Sequence, residues 1–417
     1  MTHSAERLNS IDPSIARLRR TWRWLAVLTA ILLLAGFARL SVAWGLSSAT
    51  RWLLIASLAA GYQLWFLRRN IGRNRSSTEQ RLLPDLGVGT ITTFARGLLL
   101  AAVGGFLFSA RPSGVLAWAP TVLFTTAEVL DYLDGYLARR IGHLTQLGEA
   151  LDLELDSLGM FAGSLLAVWY RTLPWPFLLI GLASYLFQLG KWALRRTGRP
   201  VRELPRSFSR RPIAGLMMGF LSAMLWPIVK PPATTLAGMF FLAPFVGSFA
   251  RDWLVVSGAV DPSAPVYQRT RSWVRAALLR WAPLAARTVV VLSLAAEISR
   301  RTVRLAIEPE IFLQAGFPFN QGVVRIFLFL EVLGAILIGL GIAGRIAAFA
   351  LVFPVGFTIL AEGLNNPLAI LLSGLLTVLI LGTGAFSVWQ PEDRIFTRRM
   401  GSHPEPDLGE LSRAVEG

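Results

Sequence analysis

Cysteine is absent from this sequence. That excludes disulfides and any chemistry that runs through a thiol, and it leaves the redox compartment open. Acidic residues are scarce, 25 Asp and Glu against 41 Lys and Arg, for a formal charge of +16. A basic excess of that size raises nucleic acid as a partner. The arginines, however, sit between apolar runs, where the positive-inside rule accounts for them, so no nucleic-acid partner is expected. No small-residue cleavage site clearly follows the first apolar run, so no signal peptide is read. Beyond the features described below, the sequence has no repeat and no low-complexity segment.

What the chain does hold is apolar sequence. Of 417 residues 54% are hydrophobic, and runs of about 15 to 20 apolar residues recur along the chain, which predicts an all-α, polytopic membrane protein. Several of the tryptophans lie near run ends (Trp24, Trp52, Trp65, Trp118, Trp169, Trp175 and Trp389), as an interfacial belt requires. Residues 1–84 comprise a basic segment and two spans, Trp24–Ala38 and Trp52–Leu67, followed by Arg68, Arg69, Arg73 and Arg75. Their expected role is anchoring or packing. Residues 85–258 hold six spans: Gly97–Ala110, Leu116–Leu130, Ser157–Tyr170, Trp175–Leu189, Ile213–Val229 and Thr234–Ala250. Residues 259–283 read as a linker, being polar and carrying Pro262, Pro265, Arg269, Arg271, Arg275 and Arg280. A four-span unit over 284–397 and a polar tail over 398–417 complete the chain. Its spans are Leu284–Ile298, Val324–Ile342, Ala347–Ala361 and Leu368–Trp389. The first of these is the weakest, because Arg287 and Glu297 fall inside it.

The stretch with chemistry runs from Asp131 to Asp156. Asp131 and Asp134 are three residues apart and Asp152 and Asp156 four apart, so on helices each pair shares a face. Apolar runs flank the stretch on both sides. Carboxylates at a membrane edge are functional by default, and two helices joined by the turn near Gly142–Gly148 would aim all four into one pocket. Clustered carboxylates repel unless a cation lies between them, and hard divalent ions such as Mg2+ or Mn2+ suit all-oxygen sites.

Asp131, Asp134, Gly135, Ala138, Arg139, Gly148, Asp152 and Asp156 fit the pattern D-x2-D-G-x2-A-R-x8-G-x3-D-x3-D. In this the chain resembles the CDP-alcohol phosphotransferases. The resemblance covers roughly residues 85–258. It implies transfer of a phosphatidyl or similar phosphoryl-alcohol group from a CDP-alcohol, such as CDP-diacylglycerol, to an acceptor hydroxyl with release of CMP. It further implies two divalent ions, Mg2+ or Mn2+, held by Asp131, Asp134 and Asp152, with Asp156 as general base and possible further ligand. Gly135, Ala138, Arg139, Gly148 and Thr93 fall on donor-binding positions. Gly135 lets the nucleotide approach closely, since glycine in a helix otherwise costs about 1 kcal/mol relative to alanine, and Arg139 can grip a phosphate. Thr93 and Arg96 match a Thr and an Arg that precede the family's first core helix, with Thr90 where the family has Asn. Arg96 has a plain alternative as a residue snorkelling from a helix end. The pair Arg251–Asp252 resembles one in members that use glycerol 3-phosphate, and Arg210 belongs to an arginine-dense loop expected on the same side, which together predict a phosphorylated acceptor; positive-inside topology alone would also put arginines there. Homodimers are common in the family.

Outside the pattern, Glu128 lies three residues before Asp131 and can support its face. Glu149, Glu154 and His143 are off the specified positions. The C-terminal unit loosely resembles DoxX-like membrane proteins through Gln314-Ala-Gly316-Phe-Pro318, Glu331-Val-Leu-Gly334 and Gly382-Thr-Gly384-Ala-Phe-Ser387. Glu331 and Glu362 there suggest no catalytic site. Three other readings stand beside phospholipid synthesis: a different CDP-alcohol donor, a catalytically silent scaffold, and a function housed in the C-terminal bundle. Charge and motif placement agree on an active site facing the cytoplasm.

Overall fold

The computed structural model describes residues 13–76, 82–141, 145–202, 210–304 and 321–391. Among them the chain is helical, and its only β pairings are isolated bridges. Five of the helices are long and apolar enough to cross a bilayer, with shorter apolar helices between them. The protein is an all-α, polytopic membrane protein.

The first of two compact units comprises residues 1–188 and 218–230. It begins with α1 (Pro13–Trp44) and α2 (Leu46–Arg69). Only Gly45 separates them, at φ 88°, a left-handed conformation that glycine reaches without Cβ strain. Trp22 on α1 donates its indole N–H to the Leu64 carbonyl on α2 at 2.8 Å. α3 (Val88–Gly104) packs against α2, α4 (Ala119–Ile141) and α5 (Gln146–Trp169). The α2–α3 contact is close. Gln63 is buried, and its side-chain amide donates to the Phe94 carbonyl at 2.7 Å. A Cβ on Gly97 would lie 2.4 Å from that amide nitrogen. Trp52 likewise donates to the Ala102 carbonyl at 2.9 Å.

These helices outrun their apolar stretches. α3 starts at Val88, so Thr90, Thr93 and Arg96 lie inside it rather than ahead of it. α4 and α5 continue through the charged aspartate stretch to Ile141 and from Gln146. Neither stretch contains a proline that would stop a helix, and hydropathy marks only the part of a helix that faces lipid or core.

The second unit comprises residues 189–217 and 231–417. α6 (Leu178–Arg196) and α7 (Arg210–Met224) each contribute to both units. α8 (Ala233–Val256) is followed by α9 (Pro265–Ala276), so the proline- and arginine-bearing linker is itself helical. Pro265 takes the first turn of α9, where its missing N–H is harmless. A π-helical turn over Ala277–Trp281 then leads into α10 (Ala282–Arg304). α10 packs with α11 (Gln321–Leu340) and α13 (Asn366–Leu381), and α12 (Gly344–Glu362) packs with both of those. Val290, Leu294, Ile338, Ala348, Leu351, Leu371 and Leu375 form the core of this bundle.

The charges that weakened the first span of this bundle are accommodated inside it. Arg287 is buried and donates to the carbonyls of Ile338, Gly339, Thr383 and Ala385 at 2.6–3.1 Å. It thus satisfies carbonyls at the end of α11 and in the segment just past α13, which hydrocarbon would leave without partners. Arg300 pairs with buried Glu297 at 2.6 Å and with Glu362 at 3.3 Å. The last span stops short of Trp389, because α13 ends at Leu381 and Gly382 follows at φ 89°. Of the DoxX-like motif residues, Gly334 packs on Leu351 and Glu331 is buried. Gln314, Gly316 and Pro318 lie outside the described residues.

Candidate active site

Two helices present the aspartates. Asp131 lies on α4; Asp152 and Asp156 lie one turn apart on α5. Thr145 precedes α5, and its hydroxyl caps that helix by accepting from the Gly148 N–H at 3.0 Å. This cap satisfies one of the donors that open a helix. The loop after α2 holds the cap in place. Ser76 pairs with Thr145, and the Gln146 N–H donates to the Arg75 carbonyl at 3.1 Å. Asn74 fixes that loop by donating to the Leu83 and Asp85 carbonyls, each at 3.0 Å.

The result is a convergence of carboxylates. Asp131, Asp152 and Asp156 each offer an oxygen, and the three oxygens lie within 4.8 Å of one another. Their side chains are 44–50% exposed, so the cluster opens to solvent on one side. On the other side stands Arg96 of α3, 2% exposed. Its guanidinium donates to the Asp152 carboxylate at 3.0 Å and to that of Asp156 at 2.6 Å, and it also pairs with Asp131. A planar fork reaching several carboxylates at once is the geometry arginine provides and lysine does not. Arg96 therefore does not snorkel: it lies inside the unit, beneath the aspartates. Glu128, one turn before Asp131, is half-buried and within electrostatic reach of Arg96 and Asp156, which places a fourth described carboxylate beside the cluster.

Residues 87–257 match the family model of the CDP-alcohol phosphatidyltransferases. This stretch is a CDP-alcohol phosphatidyltransferase domain. No curated protein and no solved structure matches the chain.

Within the phosphatidyltransferase domain the remaining signature positions divide. Asp134, Gly135, Ala138 and Arg139 continue α4 from Asp131, and their side chains lie outside the described residues. Gly148 lies against two hydroxyls: a Cβ there would sit 3.1 Å from both the Thr145 and Thr90 oxygens. Those two threonines lie 3.3 Å apart, within hydrogen-bonding distance. Thr90, standing where the family has Asn, is thus next to the cap of the aspartate helix. Thr93 is buried, with its hydroxyl donated to the Gly89 carbonyl at 2.9 Å.

Arg251 and Asp252 form the expected pair, at 2.5 and 3.0 Å. They belong to the second unit, as does Arg210, whose side chain is outside the described residues. Sequence reasoning missed the central place of Arg96. The available signal was the spacing of Thr90, Thr93 and Arg96, three residues apart each time, which marks one face of a helix.

The donor set suits a divalent cation. Hard ions take several carboxylate oxygens, and oxygens from α4 and α5 converge on one half-open point. Arg96 neutralises part of the charge from behind and leaves the exposed side of the three carboxylates clear.

Proposed function

We propose that the chain transfers a substituted phosphoryl group, phosphatidyl in the first instance, from a CDP-alcohol to an acceptor alcohol with release of CMP, in phospholipid synthesis. The observation that carries this reading is the convergence of Asp131, Asp152 and Asp156 on one point within the matched domain. Asp131, Asp134 and Asp152 would hold Mg2+ or Mn2+, as two ions in the family pattern. Bound there, the metal supplies positive charge that neutralises the donor's pyrophosphate and the leaving CMP. Arg96 fixes Asp152 and Asp156 from behind. Asp156, anchored to Arg96 through one oxygen, is half exposed, so an acceptor hydroxyl can come within hydrogen-bond reach of it. It serves as the general base. Gly135 and Ala138 leave room for the nucleotide, Arg139 holds a donor phosphate, and Thr93 and Gly148 shape the wall behind it.

Arg210 and Arg251 are assigned to the phosphate of a phosphorylated acceptor such as glycerol 3-phosphate or an inositol phosphate. Arg251 is one-third exposed and already oriented by Asp252, which supports that role. The arginines at 68, 69, 73 and 75 and those at 195, 196, 199 and 202 support a cytoplasmic-membrane protein with the site on the cytoplasmic face. A homodimer is the family's usual state. Residues 284–397 are proposed as a separate DoxX-like bundle.

The scaffold reading gains one specific observation, because Arg96 balances carboxylates without any metal. Both readings meet the same test. Purified protein is incubated with CDP-diacylglycerol and, in turn, glycerol 3-phosphate, inositol phosphate, inositol and serine. CMP and product lipids are read by mass spectrometry, with EDTA and then with Mg2+ or Mn2+ restored. Metal-dependent CMP release with a phosphorylated acceptor is expected. Preference for free serine or inositol removes Arg210 and Arg251 from the acceptor site. No release with any acceptor, from a folded protein, supports the scaffold.

A further inference from the structure

The linker helix α9 has two faces and only one of them is suited to water. At 3.6 residues per turn, Val266, Thr270, Trp273, Val274 and Ala277 fall within an arc of about 100°. Gln268, Arg271, Ser272 and Arg275 occupy the opposite arc, Arg269 falls between the two arcs on the apolar side, and Arg280 lies in the π turn. None of the residues of α9 is buried. Val266 is 78% exposed and Trp273 71%, and Trp281 in the π turn is 55% exposed. Among the described residues little covers the apolar face.

The helix also has no task in crossing the bilayer. α9, the π turn and α10 form one continuous helical path, with Pro265–Arg300 counted as a 36-residue span. A bilayer core of about 30 Å needs only about 20 helical residues. α10 alone has 23, and packing of this path into the C-terminal bundle begins near the end of the π turn, where the Ala385 N–H donates to the Arg280 carbonyl at 3.0 Å and Pro283 lies against Gly384. Residues 265–279 thus extend beyond the packed span at one end. A π turn interrupts the regular hydrogen-bond ladder there and lets the helix change direction.

Charge selects the partner. Arg269, Arg271, Arg275 and Arg280 are followed by Arg287, and there is no Asp or Glu between Pro262 and Ala296. An exposed apolar face with tryptophan, backed by arginines and joined to a membrane span, fits the boundary of a bilayer rich in anionic headgroups. A lone stretch of positive-inside arginines would not require the apolar residues to share a face. We propose that α9 lies in the plane of the membrane surface as an interfacial helix that engages anionic phospholipid. This inference rests on the membrane-spanning fold and is independent of the catalytic reading.

The natural absence of cysteine makes the test direct. Single variants Val266→Cys, Trp273→Cys, Gln268→Cys and Ser272→Cys are made in the full chain and spin-labelled. Each is reconstituted into phosphatidylcholine vesicles with and without about one-third phosphatidylglycerol. Collision with oxygen and with a water-soluble nickel chelate is then measured. The expected result is a helical alternation, in which labels at 266 and 273 are oxygen-rich and shielded from nickel and labels at 268 and 272 are the reverse. The alternation should weaken in pure phosphatidylcholine. In an Arg271→Gln, Arg275→Gln background that keeps the wild-type elution profile, immersion should need severalfold more phosphatidylglycerol.

Equal nickel access at all four sites overturns the proposal. So does an alternation that ignores lipid charge and survives the arginine changes. Dipolar broadening at 266 and 273 overturns it as well, by showing a second copy of the chain on that face.

Discussion

Arg96→Met should destabilise the protein chiefly when divalent metal is absent. The guanidinium is 2% exposed and contacts Asp131, Asp152 and Asp156, whose oxygens lie within 4.8 Å of one another. Methionine keeps most of the length and apolar volume of the stem but removes the charge. Two unit charges at that distance repel by about 3 kcal/mol at an effective dielectric of ~20. The carboxylates are roughly half exposed, so solvent reduces this to about 1 kcal/mol per pair. These repulsions persist in the variant, which loses Arg96's offsetting attraction to the three carboxylates, of similar size at about 3 kcal/mol in all, or roughly 6–12 °C in Tm for a unit of this size. Metal bound at the same carboxylates replaces the lost charge, and it stabilises whichever form binds it in proportion to the logarithm of ligand over Kd. The variant should therefore show a larger Mg2+- or Mn2+-induced rise in Tm than the wild type. Thermal unfolding in detergent, with EDTA and across a metal titration, measures both quantities. Transfer activity should fall on the order of 100-fold even with metal, because Asp152 and Asp156 lose the group that fixes them. A variant with the wild-type Tm in EDTA and the wild-type response to metal would refute the reasoning.

Other outcomes follow from the same structure. Asp156→Asn should lower kcat by about 10²-fold or more while the Kd for the CDP-alcohol changes little; near-normal turnover would remove Asp156 as base. Gly97→Ala should cost about 1–3 kcal/mol by overpacking against Gln63. A Gln63→Ala background should relieve much of that, and strictly additive effects in the double-mutant cycle would contradict the contact. Arg287→Met should destabilise the C-terminal unit by about 3 kcal/mol or more, since several buried carbonyls lose their donor together. Limited proteolysis of that unit reads this out, and unchanged resistance would argue against a capping role.

The aspartates were legible because the constraint that matters for them is local. Asp152 and Asp156 must be one turn apart to share a face, and sequence spacing records that directly. Arg96 was not legible as their partner, because it meets them from another helix, 56 and 60 positions away in the chain. Its spacing from Thr90 and Thr93 marks a shared helix face but does not say what that face meets. The same holds for Arg287. Counted alone it weakens a span, but in three dimensions it supplies hydrogen bonds to the end of α11 and to the segment that follows α13. α9 was read as a linker from its prolines and arginines. Both features suit a helix once Pro265 stands at the start and the arginines gather on one side. Hydropathy misplaced the start of α3 for a related reason: Thr90, Thr93 and Arg96 are polar and buried, a combination an apolar scan discards.

α5 has a second face. Leu147, Leu151 and Leu155 recur every fourth residue and pack with Leu18 of α1, Leu67 of α2 and Ile71 just beyond it. The segment recognisable by family, 87–257, is therefore narrower than the segment that must fold together. A fragment cut at residue 87 would strip apolar cover from the helix that carries Asp152 and Asp156, as well as the Ser76 and Arg75 partners of its first turn. Substitutions in α1 and α2, far from any reacting group, can then be felt at the carboxylates as a rotation of α5. Exchanging this domain with that of a relative would have to carry residues from about Leu18 onward to move the site intact.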